Sequence, residues 1–232
     1  MTVVLSMCCK DGLVIAADSQ ITEGSSNVSF PAQKLHHLGE HAAWGGSGAR
    51  AVLYELEQDF NDNAATIVES GDVGRALQER VIPVLRHHYE NFIEDVPGAT
   101  KGSTPSAYVL AAGYADDAPF IIEINPNGMV SRYEDVGFHA VGSGAAMAQQ
   151  AGALLAHFRM TEHTVDYGVV AAVRVLDALA RTSPSVGGPL DVCRILPDGA
   201  HHLSEKEIDE ERTRVQRWTE LEQRALDELF AS

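Results

Sequence analysis

The order of strand-like and helix-like segments is the feature that most limits how this chain can fold. Alternating apolar residues and β-branched runs predict strands, and apolar residues at helical spacing predict two separate pairs of helices. The predicted strands cover residues 2–9, 13–18, 34–38, 41–45, 107–114, 119–124, 129–141 and 190–195, and the predicted helices cover 49–61, 73–93, 145–158 and 165–181. Helix pairs enclosed by runs of strands favour an α+β fold in which two sheets pack together with helices outside each.

Breaker-rich segments separate these elements, and we predict loops at 24–27 and 97–105. Nothing in the chain resembles a linker, so the 232 residues are interpreted as one compact core, residues 1–203, followed by a helical extension, 204–232, packed on it. Ser204 and Glu207 form a predicted capping box at the start of that extension, and a narrow apolar seam follows. Two roles stay open for it: a cap on the surface helices, or a contact between subunits.

Charge and composition exclude several classes of function. The formal net charge is −16, whereas a nucleic-acid binder needs a basic surface. No apolar run is long enough to span a bilayer, and residues 2–9 lack the flanks of a signal peptide. Three cysteines do not make a disulfide framework, which favours a cytoplasmic protein. Adjacent histidines on a strand point to opposite faces, so the three His-His pairs predict no metal site, and no cofactor is expected.

Three residues near the start of the chain suggest hydrolytic chemistry. Removal of Met1 would give Thr2 both a hydroxyl nucleophile and an α-amine, whose ordinary pKa of about 7.7–8.0 lets it act as a base. Asp18 ends the second predicted strand and Lys34 begins the third. A lysine close to the amine would lower the pKa of that amine, and an aspartate would hold the lysine in place.

Several motifs extend this pattern along the chain, and together they resemble the proteasome β-type subunits, including the bacterial HslV peptidase. Thr2, Asp18 and Lys34 are separated by 16 positions each. The matching stretches are Thr2-Val-Val, Lys10-Asp-Gly-Leu-Val-Ile-Ala-Ala-Asp18, Gly45-Gly-Ser-Gly48-Ala, Gly137-Phe-His-Ala-Val-Gly-Ser-Gly144, Thr164-Val-Asp-Tyr-Gly168-Val and Gly187-Gly-Pro-Leu-Asp191-Val. Each motif alone is weak, but the set is specific and covers roughly residues 2 to 203.

The resemblance implies a fold and a set of roles. The fold is a four-layer αββα sandwich of two antiparallel sheets flanked by helices, of the N-terminal-nucleophile type. Thr2 would be the nucleophile and, through its amine, the general base. Lys34 would tune the pKa of that amine, and Asp18 would orient Lys34. Gly48 would donate its amide to the oxyanion, with Gly46 as the competing donor, and Ser143 would relay the proton of the amine.

Substrate and assembly follow from the same resemblance. The specificity pocket would involve Ile21, Ala32, Gly46 and Arg50, and Arg50 would favour acidic side chains. The chain would form a homo-oligomeric ring or spiral, cleave peptides or unfolded protein, and work with an ATP-dependent unfoldase.

Two positions depart from the family pattern. The supporting aspartate of the family falls at Ser183 and its supporting serine at Val186, with Ser185 as a substitute. Three hypotheses therefore remain: a threonine peptidase of a self-compartmentalising assembly, an N-terminal-nucleophile amidase that cleaves a small amide, and a catalytically silent structural subunit.

Overall fold

Twelve strands and five helices make up the computed structural model, which describes residues 2–23, 28–93, 104–183 and 186–231. The strands are β1 (Val4–Cys8), β2 (Leu13–Asp18), β3 (Gln20–Glu23), β4 (Val28–Pro31), β5 (Leu35–His37), β6 (Ala42–Gly48), β7 (Ala107–Ala115), β8 (Ala118–Ile124), β9 (Val130–Arg132), β10 (Phe138–Val141), β11 (Leu190–Leu196) and β12 (Gly199–His202). The helices are α1 (Arg50–Val68), α2 (Val73–Glu90), α3 (Ala145–Leu155), α4 (Val165–Thr182) and α5 (Glu205–Phe230).

Ten of these strands form two antiparallel five-stranded sheets. The first sheet has the order β10-β1-β2-β11-β12, the second has the order β5-β6-β7-β8-β9, and β3 pairs with β4 as a separate hairpin. Three apolar clusters fill the layers: one between the sheets, one under α3 and α4, and one under α1 and α2. The predicted αββα sandwich is therefore confirmed.

The central strands are apolar on both faces because each face is covered. Every residue of β1 and of β2 is buried, since one face meets the second sheet and the other meets the helices. On α1 the buried residues recur at helical spacing, at Val52, Leu56 and Phe60. Because both faces are buried, the register of β1 against β2 is strongly specified, and this register sets the position of the residues that precede β1.

The predicted elements differ from the structure in several places. Residues 129–141 were expected as one strand but form β9 and β10, which lie in different sheets. The β3–β4 hairpin was not predicted. Helix α1 continues seven residues beyond position 61, and β5 begins at Leu35 rather than at Lys34. The predicted loop at 24–27 and most of the one at 97–105 lie outside the described residues.

Helix α5 packs on α4 through both apolar and ionic contacts. Its capping box is confirmed: the Ser204 amide donates to the Glu207 carboxylate at 2.8 Å, and the Glu207 amide donates to the Ser204 hydroxyl at 3.4 Å. Arg174 of α4 stacks on Trp218, at 4.1 Å from the ring centre, and pairs with Glu222. These contacts fit the role of an intramolecular cap, while the division at residue 203 and the subunit contact stay predictions.

No helix within the described residues is long and apolar enough to cross a membrane.

Candidate active site

Three of the predicted catalytic residues meet at one end of the two sheets. The β1–β2 hairpin pairs Val4 with Ala17, which places the residues just before β1 beside Asp18 at the end of β2. Lys34 enters from the segment before β5. The Lys34 Nζ donates to Asp18 Oδ1 at 2.8 Å and to the Thr2 Oγ1 at 3.3 Å. A spacing of 16 and 16 residues thus becomes a chain of direct contacts.

Asp18 is fully buried and accepts from four donors. Besides Lys34, the backbone amide of Val3 donates to Oδ1 at 2.9 Å, and the amides of Gln20 and Gly187 donate to Oδ2 at 3.2 and 3.4 Å. A carboxylate has about four lone-pair sites, so this set saturates it. The Asp18 carboxylate therefore accepts hydrogen bonds from three separate segments: the start of β1, the turn after β2 and the segment before β11.

Lys34 has its three donors directed at three oxygens. Asp18, Thr2 and the Gln20 carbonyl, at 2.7 Å, are its acceptors. Only the ammonium form has three N–H groups, so this geometry fits a charged lysine. Burial lowers the pKa of Lys34 from its ordinary value, and the charge and hydrogen bond of Asp18 oppose that lowering. A cation held at 3.3 Å stabilises negative charge on the Thr2 oxygen.

The backbone nitrogen of Thr2 lies against the turn between β10 and α3. It donates to Ser143 Oγ at 3.0 Å, and the Gly144 amide donates to the Thr2 carbonyl at 3.2 Å. Gly142 permits this approach, because its φ is +99° and a Cβ there would lie 2.3 Å from the Thr2 carbonyl oxygen. The Gly142-Ser143-Gly144 turn therefore positions the backbone of Thr2 through these two hydrogen bonds.

Gly48 presents a backbone amide to the cavity in front of Thr2. Strand β6 pairs Gly48 with Ala107, and the next amide, that of Ala49, donates to the Ser106 carbonyl at 2.8 Å. Successive peptide groups of an antiparallel strand point to opposite sides, so the Gly48 amide is directed away from β7. Gly46 has the same orientation but lies opposite the segment before β5. Gly48 lies farther beyond the last residue pair of β5 with β6, which joins Leu35 to Gly45.

A cavity of about 560 Å³ opens beside Thr2. Ile21, Ala32, Gly46 and Arg50, the predicted specificity residues, all line it, together with Thr2, Lys34, Gly48 and Ser143. Among the predicted site residues, Asp18 alone does not line the cavity, because it is fully buried.

Further residues of the cavity were not predicted from the sequence. His36, Tyr54 and Glu57 line it as well. On α1, Arg50, Tyr54 and Glu57 lie at positions i, i+4 and i+7, so a polar stripe at helical spacing was the signal that could have found them.

The two positions that depart from the family pattern are both buried. Val186 is 2% exposed and belongs to the same cluster as Val3, while Ser183 ends α4 and is 4% exposed. Ser185, the suggested substitute, lies outside the described residues. At position 186 the chain thus has packing in place of a hydroxyl.

Among the residues that the structure describes, no group of three or more His, Cys, Asp and Glu side chains could hold a metal ion. The two histidine pairs at 36–37 and 201–202 do approach each other, with the rings of His37 and His202 4.6 Å apart.

Comparison with known proteins covers nearly the whole chain. A family model described as "Proteasome subunit" matches residues 2–195. The proteasome subunit beta of Archaeoglobus profundus is 24% identical and aligns over 90% of each chain. Proteasome subunit beta 1 of Thermococcus kodakarensis is 26% identical over 89% of this chain and 94% of the relative.

Among solved structures, Anbu (ancestral beta-subunit) from Yersinia bercovieri superposes with a TM-score of 0.74 at 17% identity, covering 99% of this chain and 96% of the other. This likeness adds support for the fold, and the family match extends from Thr2 through β11. The chain belongs to the proteasome subunit family, with the αββα fold of the N-terminal-nucleophile hydrolases.

Proposed function

We propose that this chain is a threonine peptidase in which Thr2, once Met1 is removed, attacks the carbonyl of a peptide bond. The observation that carries the proposal is the contact of Thr2 Oγ1 with the Lys34 ammonium, itself anchored on buried Asp18. Lys34 is 7% exposed, pairs with Asp18 at 2.8 Å and donates to the Thr2 hydroxyl, and a solvated surface lysine would not make this set of contacts.

The proposed reaction has two halves. The free amine of Thr2 accepts the hydroxyl proton as Oγ1 attacks the carbonyl carbon, and the Gly48 amide stabilises the resulting oxyanion. The amine then gives its proton to the leaving nitrogen, and an ester on Thr2 remains. Water attacks this ester with the same amine as base, which releases the acid and restores Thr2. Lys34 remains charged throughout, and the Thr2 nitrogen, which donates to Ser143 Oγ at 3.0 Å, would keep Ser143 as its partner once it is an amine.

The assembly is proposed from family membership. The relatives from Archaeoglobus profundus and Thermococcus kodakarensis are proteasome beta subunits, which supports a self-assembled ring or spiral that encloses the site. Peptides or unfolded protein would then be the substrates, with an ATP-dependent unfoldase as partner. All three cysteines are free thiols, which supports a cytoplasmic setting.

A silent structural subunit is the second candidate, because Val186 and Ser183 replace the hydroxyl and the carboxylate expected near the amine. An amidase for a small amide is less favoured, since a cavity of about 560 Å³ continues past Thr2 along α1 and can hold a peptide side chain.

The test combines mass and chemistry. Intact-mass analysis should find the chain without Met1, and a peptide α′,β′-epoxyketone should add once per chain, because its ring closure needs both the hydroxyl and the amine of Thr2. The Thr2→Ala variant should form no adduct and cleave no fluorogenic peptide, and Thr2→Ser should keep both. Retention of Met1, or cleavage by Thr2→Ala, would overturn the nucleophile assignment. A processed chain without any adduct would favour the silent subunit.

A further inference from the structure

The cavity beside Thr2 has an acidic group at the end away from the nucleophile. Glu57 lies on the third turn of α1 and His36 lies on β5, and Glu57 Oε1 is 3.2 Å from His36 Nδ1. Both side chains line the cavity and are half-buried, with 32% and 18% of their surface exposed. Neither contacts Thr2, Lys34 or Asp18, so the catalytic contacts described above leave this pair unexplained.

Strand and helix directions give the depth of the pair. Lys34 and His36 are two residues apart, so their side chains share a face of the extended segment and are separated by about 6–7 Å along it. Helix α1 starts directly after β6 and runs back over the sheet, so Glu57 lies about 10 Å further along its axis than Arg50. A side chain that enters beside Thr2 therefore passes Arg50 first and reaches Glu57 and His36 last.

The inner end offers a hydrogen-bond acceptor. A carboxylate can only accept hydrogen bonds, so Glu57, whose Oε1 lies 3.2 Å from His36 Nδ1, can accept from the N–H groups of a ligand. Burial lowers the pKa of His36, and Glu57 and Asp191 oppose this effect while His202 adds to it. Trp44 stacks on the imidazole at 5.0 Å and holds the ring in place. At neutral pH the inner end therefore carries the net negative charge of Glu57.

Arg50 does not cancel that charge. Its side chain is exposed at the start of α1, with the guanidinium 5.9 Å from the Phe30 ring centre. Seven helical positions separate it from Glu57, a distance comparable with the Debye length of about 8 Å at physiological salt. Charges in solvent at that separation are largely screened, whereas a ligand inside the cavity meets Glu57 with little water between them. The half-buried carboxylate therefore dominates for any side chain long enough to reach it.

We propose that this cavity selects peptides with a long basic side chain, lysine or arginine, at the residue whose carbonyl Thr2 attacks, and that Glu57 is the specificity-determining residue. An extended lysine places its ammonium about 6 Å from its Cα, and arginine reaches slightly farther, which matches the separation of Lys34 from His36. The walls formed by Ile21, Ala32 and Leu53 contact the aliphatic stem, while the Glu57 carboxylate accepts from its charged end. This inference rests on the proposed peptidase function, and it replaces the preference for acidic side chains expected from Arg50 alone.

The experiment compares fluorogenic tripeptide amides that differ only in this residue: Lys, Arg, Leu or Glu. We expect kcat/KM for Lys and Arg to exceed that for Leu, with Glu lowest. In Glu57→Gln the ratio of Lys to Leu should fall about tenfold or more, the range of one charge-assisted hydrogen bond. Glu55→Gln is the matched control, because Glu55 has the same charge on the same helix but pairs with His88 outside the cavity; its ratio should equal that of the unaltered chain. Charge reversal in Glu57→Lys should move the preference to Glu.

A measurement of peptide binding tests this inference independently of the proposed peptidase function. Uncleavable amides of the same peptides are titrated into Thr2→Ala, which keeps the cavity but has no nucleophile. Tighter binding of the Lys peptide that is lost in Thr2→Ala/Glu57→Gln supports the inference even if the unaltered chain cleaves nothing. Cleavage with equal or reversed Lys-to-Leu ratios, or a ratio unmoved by Glu57→Gln, would overturn it while leaving the peptidase assignment intact.

Discussion

Replacing Asp18 by asparagine should destabilise the protein more than any surface charge can. Asparagine has the same shape but carries no charge, and its amide group places a donor among three backbone N–H groups and the Lys34 ammonium. Lys34 would then remain charged and 7% exposed without its partner. Removal of one member of a buried pair costs roughly 3–5 kcal/mol, a large share of the roughly 5–15 kcal/mol that stabilises an ordinary domain.

Urea unfolding, followed by the fluorescence of Trp44 and Trp218 at one fixed protein concentration, measures this loss. For a chain of this size each kcal/mol shifts Tm by about 2–4 °C, so the melting temperature should fall by roughly 6–20 °C. Asp166→Asn is the control: the same chemical change at an exposed pair with Arg194, 3.2 Å apart, should cost under about 1 kcal/mol.

The pH dependence of the loss has a definite sign. The pKa of Lys34 is lowered in the folded chain, so the folded state releases the lysine proton at a lower pH than the unfolded state does. The ion pair of Asp18 with Lys34 contributes only while that proton is bound, whereas the three backbone amides donate to Asp18 at any pH. The difference between Asp18→Asn and the unaltered chain should therefore be full at neutral pH and shrink as pH rises through the lowered pKa. A difference within about 1 kcal/mol at pH 7, or one that grows with pH, would refute the assigned charge pair.

Two further predictions concern the cavity. Gly48→Ala should reduce both stability and peptide cleavage, because its Cβ would lie 2.0 Å from the Ser106 carbonyl oxygen at a φ of +145°. Gly71→Ala is the control: its φ is +75° and no atom lies within 4 Å of the added Cβ, so it should show only a backbone cost of about 1 kcal/mol. Equal unfolding curves for the two variants would contradict the close approach at Gly48. Acidification below pH 6.5 through the lowered pKa of His36 should place a positive charge beside Glu57, so the Lys-to-Leu ratio of kcat/KM should fall with acid; a ratio independent of pH would remove His36 from the specificity pair.

The sequence predicted most of the architecture because the strongest patterns are local. β2 covers the predicted residues 13–18, and the burial of both its faces explains the continuous apolar run. The strand expected at 129–141 was wrong because β10 pairs with β1, more than 130 positions away, and no local pattern reports such a partner. Helix α1 exceeds its predicted end since Ile67 is buried, and tertiary packing outweighs the weak helix formers before it.

The site divides in the same way. Thr2, Asp18 and Lys34 were predicted together from their spacing and the family resemblance. Pairing of β1 with β2 brings the first two together, and Lys34 reaches them from the segment before β5 in the other sheet. The Gly187 amide and the Gln20 carbonyl could not be predicted, since backbone groups carry no sequence signal. Glu57 was missed because its position depends on how α1 crosses β5. The position of Glu57 thus depends on packing between elements, and the contact of Lys34 with Asp18 likewise depends on how the two sheets pack together.

Val186 and Ser183 should affect the pKa of the amine of Thr2, the proposed nucleophile. A carboxylate near the Thr2 amine would raise the pKa of that amine, and neither replacement carries the charge. Lys34, whose Nζ lies 3.3 Å from the hydroxyl of the same residue, lowers it instead. The amine is therefore expected to titrate below its ordinary pKa of about 7.7–8.0. The acid limb of the pH profile of kcat/KM, measured with the Leu peptide so that Glu57 and His36 do not contribute a charge partner, is expected below that range. An acid limb above pH 8 would mean that another anion compensates for the missing carboxylate, and the departure at these two positions would then have no effect on the base.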